Sequence, residues 1–376
     1  MDKYALSPLT VVARTDNDGQ VIIHGGSGFD RQRVDVGGEN DGAFAFITWV
    51  LGRSVPATHD ELCASLADTL DVPTDETADV VCELVKAGVL IEVGEANEVG
   101  EALRSWSSHG WDEAALFHYA TFGQPFDPDI LGDVSYEAYY QSILEDFSTA
   151  GPQPPASPPA SSNTRTALRE NEYEYEYATI AFDDVLKRSS PINRFTYDGI
   201  ERACLHRVLN ESFGAQKVIG GILGEHLIKA YPSGGARHPL EMYVVAKSVT
   251  GLPTGIHQFD ARDGELRQLA DAGAGSDIDS ACFGKGGIAT ASAVFVITCR
   301  WLRHNWKYRY SRSYRMVLLE LGHAIQAVHL SARAEGLGVY QCPSINDEAM
   351  LSLLGLTDDC TEGPLYAIGI GKEGIQ

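Results

Sequence analysis

The sequence predicts a mixed protein of helices and strands, built in two parts on either side of a proline-rich joint. Three observations carry this. Residues 151–162, GPQPPASPPASS, hold proline, serine and alanine too densely to build a core and read as a semi-rigid extended linker or a long surface loop. Before them, three stretches with apolar residues at helical spacing lead into a strand. After them come an apolar strand, Met242–Ala246, and a long apolar helix beginning at Met316, the makings of a buried sheet-and-helix core. A length of 376 residues suits two or three domains. The expected division is a compact unit over 1–100, a helical connector over 101–150, the linker over 151–163 and a main domain over 164–376.

Within the first unit, strands are expected near Thr10–Arg14 and Gln20–Gly25. A helix follows over Ala43–Leu51, with Phe44, Ile47, Thr48 and Leu51 sharing a face. Thr58 reads as an N-cap ahead of Asp60 and Glu61, opening a helix that runs through Cys63 and Leu66 to about Leu70. The next helix spans Asp75–Ala87; Gly88 stops it and Val89–Val93 reads as a strand. Three helices followed by a strand resemble a winged-helix module, and also the small peptide-recognition domains of peptide-modifying enzymes. In the connector, Trp106, Trp111, His118, Tyr119 and Phe122 read as core packing between domains. Beyond the linker, residues 171–177 (NEYEYEY) alternate strictly. They suit either a strand with one aromatic and one acidic face or an arm that orders on a partner subunit.

Composition narrows the partners. A formal charge of −23 argues against nucleic acid, whose phosphates need a basic surface. Seven scattered cysteines without a C-x-x-C pair read as reduced thiols of a cytoplasmic protein, not as a disulfide or zinc framework. The N-terminus, MDKYALSPLT, lacks the charged-then-apolar pattern of a signal peptide. No apolar run reaches the roughly 18 residues a membrane span needs.

The residues suited to chemistry lie in the C-terminal part. Phe182–Arg188 reads as a helix, and the turn after it gathers Arg188, Ser189 and Arg194, donors suited to a phosphate. Tyr197–Asn210 reads as a helix covering the sheet. In residues 232–241 (PSGGARHPLE), Gly234 and Gly235 leave backbone bare for a ligand, flanked by Ser233 and Arg237. The same residues also suit a tight turn feeding the strand. Residues 306–315 (WKYRYSRSYR) are aromatic and basic, and the helix after them ends near Glu335 at Gly336-Leu337-Gly338. Apolar on most sides, that helix should run through the core. His323 reads as a core histidine. Glu320, His323 and His329 lack the spacing of a zinc-binding H-E-x-x-H, so no metal is expected.

In this order the blocks resemble the SagB/ThcOx-type dehydrogenases of the nitroreductase superfamily, over roughly residues 180–373. Arg188-Ser189 with Arg194-Phe195 is similar to that family's opening arginine–serine segment, at a longer spacing. Ser233–Arg237 with Pro239-Leu240-Glu241 is similar to its S-x-G-A-R-x-P-L-E signature. Lys307-Tyr308, Arg312–Arg315 and Glu320–His323 are similar to its KY…R-x-Y-R…E/D-x-G-H segment. Gly336-Leu337-Gly338, residues 353–356 (LLGL) and residues 367–372 (AIGIGK) match its end. Arg309 and Tyr310 stand where azoline oxidases commonly carry a glycine.

The resemblance implies an α+β nitroreductase-like fold, a mostly antiparallel sheet flanked by helices, in a homodimer with FMN at the subunit interface. It assigns Arg188, Ser189 and Arg194 to the phosphate and ribityl tail and Ser233, Gly234 and Gly235 to the flavin ring. Val339, Tyr340 and Gln341 would approach N5 from the other side, and Lys372 would help with the phosphate. Arg237 and Arg315 would serve either the pyrimidine or the phosphate. The implied activity is oxidation of azolines to thiazoles or oxazoles in a ribosomally made peptide, with a cyclodehydratase as a partner and Lys307 and Tyr308 as the catalytic pair. As plain residues, the pair would simply line the flavin from a loop. An NAD(P)H-using reductase of peptides and a flavin-free scaffold of a modification complex are the alternatives.

Overall fold

The computed structural model describes residues 2–14, 21–25, 33–36, 41–121, 141, 145, 153–156, 165–167, 181–186, 194–221, 224–270, 274–308 and 311–373. The chain forms two compact units, residues 1–129 and 130–376. The tyrosine–glutamate repeat at 171–177 lies outside the described residues.

The first unit opens with β1 (Lys3–Leu6), β2 (Val11–Arg14), β3 (Val21–His24) and β4 (Arg33–Val36). There follow α1 (Asp41–Leu51), β5 (Ala57–Thr58), α2 (His59–Leu70), α3 (Thr74–Lys86), β6 (Leu90–Glu92), α4 (Val93–Ser107) and α5 (Asp112–Thr121). Strands β2–β3–β4 form one antiparallel sheet and β5–β1–β6 a second. Thr58 caps α2 reciprocally: its hydroxyl accepts from the Glu61 N–H, and the Glu61 carboxylate accepts from the Thr58 N–H at 2.8 Å. Leu62 and Leu66 of α2 meet Val81 and Leu84 of α3 in the core.

Two expectations change in this unit. Helix α1 buries Phe46, Trp49 and Val50, while Phe44 is 74% and Leu51 51% exposed. This helix is apolar nearly all round, and the stripe carrying the tryptophan takes the core. The aromatic cluster is local: the Trp106 ring meets Trp111 at 5.6 Å and His118 at 5.1 Å within the α4–α5 pair, and Trp111 is exposed. The Tyr119 side chain and Phe122 lie outside the described residues.

The second unit begins with β7 (Arg165–Ala167), α6 (Phe182–Leu186), β8 (Ile200–Glu201), α7 (Arg202–Ser212), β9 (Lys217–Gly221) and β10 (Gly224–Ile228). It continues through β11 (Leu240–Ala246), β12 (Val249–Thr250), β13 (Gly255–Asp260), β14 (Glu265–Ala270), α8 (Ala274–Ala281) and α9 (Gly286–Ala289). It closes with β15 (Ala293–Arg300), α10 (Trp301–Asn305), α11 (Ser313–Ala334), β16 (Gly338–Cys342), α12 (Asp347–Leu354) and β17 (Glu362–Gly371). Seven of these strands build one sheet in the order β16-β17-β15-β11-β13-β14-β7, every neighbouring pair antiparallel.

Successive side chains of a strand leave opposite faces, so β11 sends Met242, Val244 and Ala246 into one core and Tyr243 and Val245 into the other. The first core is filled from α7 and α11 by Leu205, Leu209, Val317, Ala324 and Val328. Ile278, Ile288 and Met350 of α8, α9 and α12 fill the second. A sheet covered on both faces explains why β11 and β15 read as continuous apolar runs.

Helix α7 starts at Arg202, later than the expected Tyr197, because Ile200 and Glu201 first pair in parallel with Val249 and Thr250. Helix α11 is buried along one side only. Tyr314, Leu318 and Leu319 are exposed, and His323 stands at the surface, not in the core. No helix among the described residues is long and apolar enough to cross a membrane.

Candidate active site

The loop entering β11 turns through three residues of positive φ, Gly235 at 55°, Ala236 at 51° and His238 at 44°. The Ser233 hydroxyl helps hold it by accepting the His238 N–H at 2.8 Å. Glycine is required at 235 for space as well as for backbone freedom. A Cβ there would stand 2.6 Å from Tyr308 Oη and 2.9 Å from Lys307 Nζ. At Gly234 it would meet Met316 Cε at 2.5 Å. The fold therefore brings Lys307 and Tyr308 against Gly234-Gly235, a pairing across more than seventy residues of sequence.

Helix α10 sets the pair. The Tyr308 N–H donates to the His304 carbonyl at 3.1 Å, and its own carbonyl accepts from the Ser313 hydroxyl at 3.0 Å, joining it to the first turn of α11. The Lys307 ammonium lies 5.0 Å from the Tyr308 ring centroid, and the His304 ring 4.9 Å from it on another side. Tyr308 is buried. Arg309 and Tyr310 lie outside the described residues.

Beneath this surface lies a buried polar layer. Arg303 pairs with Glu241, the acid closing the Pro239-Leu240-Glu241 segment, and donates to the His238 carbonyl at 2.9 Å. Glu320 approaches His238 Nδ1 at 3.6 Å. Lys229 donates to the Tyr231 hydroxyl at 3.4 Å; burial pushes its pKa down to about 8, against the pull of Glu241 and Glu320. Burial likewise lowers the pKa of His238 and His304, and Lys307 and Arg237 add to the lowering at His304. Among the described residues, neither ring nitrogen of His304 and neither carboxylate oxygen of Glu320 closes a hydrogen bond of full geometry. Sequence reasoning missed Arg303, His304 and the burial of Glu320. Four-residue spacing from Tyr308 was the available signal for His304, but nothing local marks a charge as buried.

The remaining candidates sort by place. Arg237 is 4% exposed; its Nε donates to the Gly235 carbonyl at 3.3 Å and its guanidinium contacts His226. It braces the loop from within. Arg315 sits half-buried in the first turn of α11, its pKa lowered by burial and by Arg312. Arg194 and Lys372, far apart in sequence, come to one edge: Phe195 bridges Glu373, and the Thr196 N–H donates to the Lys372 carbonyl at 3.0 Å. Both cations are exposed. Arg188 and Ser189 lie outside the described residues.

Alternation along β16 sends the side chains of one grouping to different faces. Val339 packs into the core under α11, and Tyr340 packs on the opposite face, its ring lying where a Cβ at Gly287 would come within 2.2 Å. Gln341 is exposed.

Comparison with known proteins places this unit. The profile of the nitroreductase family matches residues 185–372, half of the chain. Over 137 residues the chain is 34% identical to the trifolitoxin-processing protein TfxB of Rhizobium leguminosarum bv. trifolii, a stretch covering 35% of this chain and 37% of TfxB. The trifolitoxin operon protein TfxC of the same organism is 23% identical over 329 residues, 85% of this chain and 88% of that protein. Among solved structures, the Escherichia coli microcin synthetase McbBCD complex with truncated pro-MccB17 aligns over 74% of this chain and 94% of the matched chain. It does so with 20% identity and a TM-score of 0.43.

Proposed function

The chain belongs to the nitroreductase family, and from that premise we propose that it is an FMN-dependent dehydrogenase of peptide maturation that oxidises azolines to azoles. The observation that carries this is the seating of Lys307 and Tyr308 on the bare backbone of Gly234-Gly235. A basic and a phenolic group meet there where only glycine leaves room, which suits proton chemistry beside a flat cofactor. Similarity to a protein named for processing trifolitoxin supports the maturation role.

The residues fit FMN on two counts. The Gly235 cradle would be filled by any Cβ, and the backbone brings Arg194 and Lys372, two exposed cations suited to a phosphate, to one edge. Ser233, Gly234 and Gly235 would hold the ring side and Arg194 and Lys372 the tail. FMN, when bound, supplies the acceptor for a hydride. The protein's share is to position the azoline and to take the Cα proton. Lys307 Nζ and Tyr308 Oη are the groups placed to take that proton. Arg237 and Arg303 hold the loop and α10 so that the pair keeps its place. Exposed Leu318 and Leu319 on α11 support a homodimer, and a cyclodehydratase that makes the azoline is the implied partner.

The test is direct. Purified protein should carry the visible absorption of bound FMN, and an azoline peptide should bleach it without oxygen while losing two hydrogens by mass spectrometry. Lys307→Ala and Tyr308→Phe should keep the flavin and lose the bleaching. A protein that takes up no added FMN would sink the reading; bleaching by NAD(P)H alone would turn it toward a reductase.

A further inference from the structure

A cavity of about 300 Å³ opens beside Tyr308, between α10 and the start of α11, lined among others by Trp301, His304, Asn305, Tyr314 and Val317. That volume is at the low end for a small-molecule site. Its walls are flat. Trp301 and Tyr314 stack with centroids 5.4 Å apart and planes 25° apart, and the Trp301 ring is fixed by donation from Nε1 to the Asp359 carbonyl at 2.7 Å. His304 and Tyr308 form a second aromatic surface, inclined by 36°.

The second observation is His304 itself. Only 2% exposed, it lines the cavity, and among the described residues neither ring nitrogen closes a hydrogen bond of full geometry, the Ser313 backbone giving it a weak polar contact. A buried polar group in that condition is costly unless a ligand or water completes it. Burial holds the imidazole neutral, so it offers one N–H donor and one acceptor.

We propose that this cavity is the subsite that receives the five-membered azoline or azole ring of the peptide, with Trp301 and Tyr314 as its aromatic wall and His304 donating a hydrogen bond to the ring nitrogen. The assignment rests on the azoline reading and deepens it. A flat ring suits flat walls, and an azole nitrogen accepts the single N–H that a neutral imidazole can offer. An open cysteine side chain offers no plane and only a weak sulfur acceptor. No bond is made or broken in this contact; it selects the ring and sets it beside Tyr308.

The experiment is calorimetric binding to the purified full chain, using a short glycine-flanked synthetic peptide with one thiazole and the same peptide with an uncyclised cysteine. The thiazole peptide should bind roughly tenfold tighter. His304→Gln and Trp301→Ala should each weaken it roughly fivefold to tenfold, the worth of one neutral contact, while retaining flavin absorption and circular dichroism. His304→Asn serves as a second variant at that position. Equal affinity for the two peptides, or unchanged affinity in the variants, overturns the assignment. Loss of flavin from a folded Trp301→Ala protein also overturns it, because the cavity would then belong to the cofactor. A protein that binds the thiazole peptide but no FMN keeps the subsite and sinks the redox reading instead.

Discussion

Gly235→Ala is the sharpest probe of the site. The new methyl would stand 2.6 Å from Tyr308 Oη and 2.9 Å from Lys307 Nζ, where ordinary contact begins near 3.4 Å. The phenol must therefore retreat by about 0.8 Å and the ammonium by about 0.5 Å. Displacements of about 1 Å can cost on the order of a hundredfold in rate, because reacting groups leave their near-attack geometry. The left-handed backbone at 235 adds a strain of roughly 1–2 kcal/mol for a residue with a side chain. Gly251 supplies the matched control: its φ is +76°, and a Cβ there meets nothing within 4 Å. Gly251→Ala should lose similar stability and keep its activity. The assay pairs thermal melts with the rate of azoline oxidation at saturating FMN. Gly235→Ala should melt a few degrees lower and, with FMN saturating, lose about two orders of magnitude in rate. A Gly235→Ala enzyme as fast as Gly251→Ala would refute the claim that the loop holds the catalytic pair.

Further expectations concern stability and assembly. Arg303→Ala strands the Glu241 carboxylate in the core and should cost about 3–5 kcal/mol in denaturant melts, whereas Arg262→Ala, at an exposed pair, should leave the melt unchanged. Buried His238, His257 and His304 resist protonation, so below their ordinary pKa of 6.5 the unfolded chain binds more protons. Stability should then fall as pH falls below about 6.5, and a flat profile between pH ~6.5 and ~5 would count against their burial. Lys229 releases its proton near pH 8 in the fold but near 10.5 when unfolded. Stability should thus rise with pH from about 8, by up to about 1.4 kcal/mol per unit, until the thiols of Cys63, Cys204 and Cys299, held protonated by burial, reverse the trend above pH ~9. Lys229→Met should abolish that rise. Leu319→Asp on the exposed side of α11 should halve the mass seen in sedimentation if that face joins two copies, and a dimer that survives it would move the interface elsewhere.

Strand β11 was legible because Leu240–Ala246 is buried on both faces, and such a run announces itself. Thr58 and Glu61 were legible because a cap is local chemistry. The face of α1 was not: a helix rich in apolar residues all round does not reveal which stripe meets the core. Strand β1 was hidden because its four residues gain their conformation from pairing with β5 and β6. At the site, glycine and the Lys307-Tyr308 pair stood out as residue types, but their meeting is a property of the fold. The alternation of Val339, Tyr340 and Gln341 between faces is likewise a property of the strand and not of any one residue. His323 drew attention by its motif, while the histidine in the cavity is His304, which carries no motif of its own.

The position of β17 has a consequence for how the molecule is made. It is the last of this sheet's strands in sequence, yet it lies inside the sheet, joined to β15 along its whole length and to β16 on its other edge. Until residues 362–371 leave the ribosome, β15 presents an open, largely apolar strand whose edge awaits β17 on that side. A chain arrested before Glu362 therefore holds most of its core-forming sequence but cannot close the sheet, and its exposed edge is a site for misassembly with other nascent chains. Completion of the domain is timed by its final ten-residue strand.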